Sequence, residues 1–301
     1  MAAPLLLTLE ESVALGHALV DRVARECGVR ALFIKGLGLT QQGLRDEHLS
    51  IDVDVLVHPG DRTVLLDALA AHGWTVPVPM TGAVVLPLHS ATLHHGSWMS
   101  EIDLHDRFPG FLAEPGDVFE ELWRRRSTLT VAGRAIPVPE ETSHALVAAL
   151  HWLRDGPDRY AERLDFLYAR LRSSLSERQR HEMVELAGRT GAVRTLAPLW
   201  EALGVSDLPD EELDETDWRI RVASQRMKSI GWVVELTSLP WRRRPARLWH
   251  ALVLTEAEIR KEQPDAAPGW WGLQRARLHR LSYGVRALPQ ACRIVWRERR
   301  R

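Results

Sequence analysis

Ile51-Asp52-Val53-Asp54-Val55-Leu56-Val57 is the stretch that decides how this chain is read. Two carboxylates stand two residues apart in an otherwise aliphatic, β-branched run. On a strand, residues two apart project to the same face. Asp52 and Asp54 therefore leave one side of a buried strand together. One carboxylate in such a place is costly, and two in like-charge contact are worse. A divalent cation between them removes the difficulty, because Mg²⁺ takes one or two carboxylates plus substrate phosphates. The bland alternative is a strand-edge device or a loop start. The surroundings favour the metal, and with it phosphoryl or nucleotidyl transfer.

Upstream, Ala31-Leu32-Phe33-Ile34 is a short apolar run that stops at Lys35-Gly36. It reads as a strand, followed by a short helix over residues 37–44. A strand that ends in Gly at a helix start offers backbone N–H groups to an anion. Lys35 adds positive charge there, and Arg45 follows within reach. Downstream, Glu101, Asp103 and His105 alternate with Ile102 and Leu104. Asp103 is thus a third carboxylate, able to complete a metal triad with Asp52 and Asp54 and to act as general base for an attacking hydroxyl.

Lys35-Gly36, the IDVDVLV strand with Pro59 and Asp61 behind it, and the later Ile102-Asp103-Leu104-His105 together resemble the uncharacterised nucleotidyltransferase family of the DNA polymerase beta superfamily. The resemblance covers about residues 25–140 and continues more weakly through the helical second half. It implies phosphate-side contacts for Lys35 and Gly36 and metal ligation by Asp52, Asp54 and Asp103, with His105 beside Asp103 to touch the phosphates or hold an acidic partner; Arg45 is a further candidate at the nucleotide. It implies Mg²⁺ or Mn²⁺ as cofactor and an NTP as donor. The family tends to carry a His on the first helix after the sheet and an Asp on the next, which implies a joining or buttressing role for His151 and Asp165. Two departures stand out: Gly36-Leu37 where the superfamily usually has Gly-Ser, and Arg45 seven residues before Asp52 instead of closer.

Of 301 residues, 45% are hydrophobic and 26% charged, an ordinary globular balance. Cys27 and Cys292 are the two cysteines, so no disulfide framework is expected. The N-terminus has no basic region, which argues against a secretory signal. No apolar run approaches the roughly 20 residues that span a bilayer. A cytoplasmic protein is expected.

The net charge of −1 hides an asymmetry. Residues 241–301 carry 15 Lys and Arg against 5 Asp and Glu, whereas the rest carries 24 against 35. Such segregation suits an anionic partner: nucleic acid, a membrane surface, an acidic peptide, or the chain's own acidic half. The last of these is the expectation. The 12 tryptophans include Trp218, Trp232, Trp241, Trp249, Trp270, Trp271 and Trp296 in the second half. At helical spacing tryptophan is expected in a core. Trp270-Trp271 after Pro-Gly is the exception, a pair suited to a partner or acceptor pocket. His89, His94 and His95 lack the spacing and the companion ligands of a closed zinc site.

The pattern predicts a helix from Thr8, with Glu11 completing a capping box, to about Cys27. Strands follow at 31–35 and 51–57. Pro59-Gly60-Asp61 is a turn, with Asp61 capping a helix to about Gly73. A strand pair is expected at 84–93 and 100–105, and a last strand at 134–138. Helices are expected from Pro139 to about Leu153 and at 158–172, 176–190, 192–203, 216–236 and 245–262, followed by a basic helical tail. The expected architecture is α+β: a nucleotidyltransferase-like mixed sheet with flanking helices in residues 1–139, then an all-helical domain in 140–301, with the cleft between them. The expected reaction moves an NMP from an NTP to a hydroxyl of a small-molecule or peptide acceptor, as in natural-product tailoring. Alternatives are a catalytically inactive nucleotide-binding or regulatory protein of the same fold, and a nucleic-acid-binding module using the basic tail.

Overall fold

A computed structural model describes residues 7–76, 89–246 and 269–300, and between 247 and 268 only residues 249, 256, 259, 265 and 267. The expected strand at 84–88 and most of the expected helix at 245–262 lie outside the described residues. The chain divides into two compact units, one ending at Glu215 and one that includes Thr216 onward.

The first unit opens with α1 (Leu9–Glu26). Thr8 caps it, and the Glu11 carboxylate returns to the Thr8 N–H at 2.8 Å, closing the expected capping box. Next come β1 (Ala31–Phe33), α2 (Gly36–Gln41), β2 (Asp52–Val57), α3 (Arg62–Ala71), β3 (Ser90–Leu93) and β4 (Glu101–His105). Pro59–Asp61 forms a 3₁₀ turn, and Asp61 gives α3 no side-chain cap, contrary to expectation. The four strands make a mixed sheet in the order β1-β2-β4-β3. β2 and β4 run parallel, while β1 and β3 are antiparallel to their neighbours.

Alternation along β2 and β4 separates two faces. Val53, Val55, Val57, Ile102 and Leu104 are fully buried and join Val13, Val20 and Val23 of α1 and Leu65 and Leu69 of α3 in one core. The opposite face carries Asp52, Asp54, Asp103 and His105. Beyond the sheet lie α4 (Pro115–Arg124) and a hairpin of β5 (Arg126–Val131) and β6 (Arg134–Pro139). Of these the sequence had suggested only the last strand. Asp21, buried in α1, accepts from Arg25 Nε at 3.0 Å and from Arg134 Nε and Nη2 at 3.0 and 2.9 Å, tying helix to hairpin.

Four helices complete this unit: α5 (Glu141–Arg154), α6 (Ala161–Ser174), α7 (Glu177–Thr190) and α8 (Ala197–Leu203). In the second unit, the expected helix at 216–236 breaks at Met227, whose extended backbone separates α9 (Thr216–Arg226) from α10 (Lys228–Ser238). The tail is one long helix, α11 (Trp270–Glu298). Ile220, Ile230, Val233, Val234, Ala291 and Val295 form the core of α9, α10 and α11. Trp218 is buried, but Trp241, Trp249 and Trp296 are exposed, so the expected core role fails for these three, while Trp270 and Trp271, set apart from that expectation, are exposed.

Candidate active site

The site is built on the polar face of the sheet. Because β2 and β4 are parallel and in register, Asp54 lies beside Asp103 and Leu56 beside His105. Paired residues of neighbouring strands share a face. The alternation read from the sequence thus brings Asp52, Asp54, Asp103 and His105 to one surface.

Asp54 is its centre and is buried. His105 Nε2–H donates to Asp54 Oδ1 at 2.9 Å, and the Lys35 ammonium is in direct contact with the same oxygen. Burial would raise the Asp54 carboxyl, but the charge of Lys35 and the His105 hydrogen bond outweigh it and hold it well below the usual range. Burial pushes His105 down as well, so the pair is a carboxylate with a neutral imidazole. Asp52, half-buried beside this negative centre, is driven the other way. Desolvation and the charge of Asp54 push it up to about 6, against the pull of Lys35. Ser50 Oγ donates to Asp52 Oδ1 at 3.4 Å, and Thr92 Oγ donates to Asp103 Oδ1 at 2.6 Å.

The donor set fits a divalent cation. Ligand atoms of Asp54, Asp103 and His105 lie within 4.8 Å of one another. His105 Nδ1 is buried with no hydrogen-bond partner. Asp52 lies outside that trio, yet lines one opening with Asp54, Lys35, Gly36, Arg45, His151 and Arg163. Of the two roles expected for His105, touching the phosphates or holding an acidic partner, the second is the one its bond to Asp54 displays.

The turn at Lys35-Gly36 is strained. Lys35 has φ 59° and ψ −141°, and Gly36 follows with φ 44°. A non-glycine residue in this region persists only when its surroundings enforce it. The enforcing group is His144 on α5, a residue the sequence gave no reason to select. The Lys35 N–H donates to His144 Nε2 at 2.8 Å, and His144 Nδ1–H donates to Gln42 Oε1 at 2.7 Å. Gln42 Nε2 in turn donates to the Pro139 carbonyl at 2.9 Å. A side chain at Gly38 would put its Cβ 2.7 Å from the His144 ring, so glycine is what lets α2 approach α5 this closely. The N–H groups of Gly36 and Leu37 belong to the first turn of α2 and have no carbonyl four residues back within the helix.

Arg45 Nε donates to Thr40 Oγ at 3.0 Å and Arg45 Nη2 to the His48 carbonyl at 3.3 Å. These bonds hold the guanidinium at the rim despite its distance from Asp52 in sequence. Behind the site, Arg154 donates to Asp155 at 2.6 and 3.1 Å, to His89 Nε2 at 3.2 Å and to His151 Nδ1 at 3.2 Å. His89 packs at a tilt against His105, with ring centroids 5.7 Å apart. Burial, helped by the charge of Lys35, pushes His151 down to about 3. Asp155, the cap at the end of α5, lies 3.4 Å from His151 Nδ1, and Asp165 is exposed on α6. His94 pairs with Glu101 at 3.0 Å and His95 packs on Trp74, so His89, His94 and His95 form no common site.

A family described as Uncharacterised nucleotidyltransferase matches residues 16–199 of the chain. No curated protein matches it. Among solved structures, the antibiotic-resistance factor ANT(2'')-Ia is similar at 12% identity over 61% of this chain and 95% of that one, with a TM-score of 0.40. A tRNA-processing enzyme in apo form is similar at 16% identity over 99% of this chain and 91% of that one, with a TM-score of 0.27.

Proposed function

The chain belongs to the uncharacterised nucleotidyltransferase family, and on that premise we propose that it moves an NMP from a metal-bound NTP to a hydroxyl of a small-molecule or peptide acceptor. The observation that carries this reading is the ionised Asp54, buried between Asp103 and His105 with Lys35 against its carboxylate. A buried anion cluster of this kind is stable only with cationic charge supplied to it. Asp52, Asp54 and Asp103 would hold Mg²⁺ or Mn²⁺, with His105 able to join them. The bound cation would neutralise the triphosphate and lower the pKa of the acceptor hydroxyl.

The chain's own groups supply the rest. Lys35 and Arg45 present positive charge at the opening, and the Gly36 N–H is directed from a first helical turn. These groups suit phosphate oxygens. Asp103, half-exposed on β4 beside Asp54, would accept the acceptor's proton. His105, neutral and bonded to Asp54, keeps that carboxylate in one orientation, as a second partner on a ligand does. Most of the rate enhancement would come from positioning and charge neutralisation.

The test is a thermal-shift panel of ATP, GTP, CTP and UTP, each with Mg²⁺, with Mn²⁺ and with EDTA, on wild type and Asp52→Asn. A metal-dependent rise for one nucleotide, lost in the variant, identifies site and donor. No rise with any of them sinks the proposal. A rise without pyrophosphate release across a panel of hydroxyl acceptors points to a nucleotide-binding protein of the same fold.

A further inference from the structure

The second unit carries a surface the nucleotide site does not use. The inner face of α11 is packed: Leu273, Ala276, Ala291 and Val295 are buried, and the last two join the core with α9 and α10. Its outer face is apolar. Trp271, Leu278 and Val285 recur every seven residues, with Cys292 next in that series. Trp270, Leu288 and Trp296 fall beside them. At 100° per residue, these seven side chains occupy a sector about 100° wide. The six large ones are each between 45% and 80% exposed. The stripe runs the length of a 29-residue helix, about 43 Å.

Charge borders the stripe on both sides, with Arg277 beyond the edge that Trp270 and Leu288 mark and four arginines beyond the other. Those four are Arg275, Arg286, Arg293 and Arg297, all exposed. Residues 270–300 hold eight arginines and one carboxylate. That carboxylate, Glu298, is buried and paired with Arg219 at 3.2 Å. Trp241, also exposed, lies under Arg242 and precedes Arg243 and Arg244.

We infer that the outer face of α11 docks flat on an anionic lipid surface. A helix with one apolar face, arginine on its polar flanks and tryptophan at both ends matches the interface between headgroups and acyl chains. Arginine stems can lie along the apolar layer while their guanidinium groups reach phosphates. The aliphatic middle of the stripe separates this partner from nucleic acid, since Leu278, Val285 and Leu288 offer neither a stacking plane nor a hydrogen bond. A second copy of the chain would bring eight arginines against eight, and an apolar seam with like charges along it disfavours pairing. The helix lies on the surface and does not cross it: no helix among the described residues is long and apolar enough to span a membrane.

The experiment is sedimentation of the full-length protein with vesicles of phosphatidylcholine alone or with one quarter phosphatidylglycerol, at low and at 0.5 M salt. Binding is expected only with the anionic vesicles. It should weaken at least tenfold in Leu278→Glu/Val285→Glu and in Arg275→Gln/Arg286→Gln/Arg293→Gln, with the melting temperature held. In wild type, brominated lipid should quench tryptophan emission, which reads insertion without any substitution. Absence of vesicle binding overturns the inference. So does binding that Leu278→Glu/Val285→Glu leaves intact, because the apolar face would then play no part. Oligonucleotide binding or dimer formation lost in these variants, with vesicles unbound, assigns the face to another partner and overturns it too.

Discussion

The Lys35 N–H is held 2.8 Å from His144 Nε2, 109 residues away in sequence, and this bond fixes a backbone turn that Lys35 would not adopt unaided. A backbone in that region costs about 1–3 kcal/mol. Removing the ring leaves a part-buried N–H unpaired and opens a hole beneath Gly38. His144→Ala should therefore destabilise the fold by about 2–4 kcal/mol in urea titration. It should also weaken Mg²⁺-NTP binding at temperatures where the variant remains folded. Unchanged nucleotide affinity in the folded variant would separate the turn from the site.

The same ring makes stability depend on pH. Both its nitrogens are committed, one as acceptor and one as donor, so it must be neutral; burial and the nearby Arg45 push it down to about 3. In the unfolded chain a histidine titrates near 6.5. Between those values the unfolded state binds a proton that the folded state refuses. Stability from His144 is thus complete above about pH 6.5 and is lost as pH falls toward 3. His151 acts in the same direction. Asp52 opposes them: its folded value near 6 lies above its unfolded one, so the folded state gains a proton first on acidification. The urea midpoint should fall from pH 6.5 to 4.5. His144→Gln should make that fall shallower by up to about 2 kcal/mol, and an unaltered slope would contradict the assignment.

Lys35 stands where a divalent cation would have to share Asp54. The ammonium and the neutral His105 are its partners on Oδ1. Lys35→Met leaves a buried carboxylate without its counter-charge, and removing one partner of such a pair costs about 3–5 kcal/mol. A metal ion can restore that charge. The variant should melt well below wild type in EDTA and recover a larger share of its stability than wild type gains when Mn²⁺ is added. An equal Mn²⁺ effect in both proteins would show that the cation does not share Asp54.

Much of this site was legible in the sequence because it depends on alternation. Asp52, Asp54, Asp103 and His105 each occupy every second position of an apolar run, and two such strands in parallel register bring them to one face. What escaped depends on contacts distant in sequence. His144 sits within an almost wholly buried helix, where a lone histidine carries no pattern to distinguish it from a core residue. The β5–β6 hairpin turns through Ala132-Gly133, both with positive φ, and lacks the Asn-Gly or Asp-Gly signal that marks such a turn. Of the α11 tryptophans, Pro-Gly sets the Trp270-Trp271 pair apart, but nothing marks Trp296 as exposed, because helical spacing is the same for a stripe facing a core and one facing outward. Only the packing of the opposite side against α9 and α10 decides which it is.

Asp52→Asn separates what the carboxylate costs from what it does. Desolvation and the neighbouring Asp54 raise its pKa to about 6, so at pH 7 it is ionised at a cost in free energy. The amide keeps the shape and can accept from Ser50, but removes the like charge. Because Asp52 is partly open to solvent, the gain is smaller than the full shift implies, about 1 kcal/mol at pH 7. The gain should shrink as pH falls through 6 toward 4, where the wild-type carboxyl takes up its proton and the repulsion disappears. In the same variant, Mg²⁺-dependent nucleotide stabilisation should be lost, because an amide is a weak ligand for a hard cation. A variant more stable alone yet blind to Mg²⁺-NTP is the signature of a carboxylate kept for the cation. One that loses stability alone, or keeps its nucleotide response, would mean that Asp52 serves the fold and leaves the metal to Asp54, Asp103 and His105.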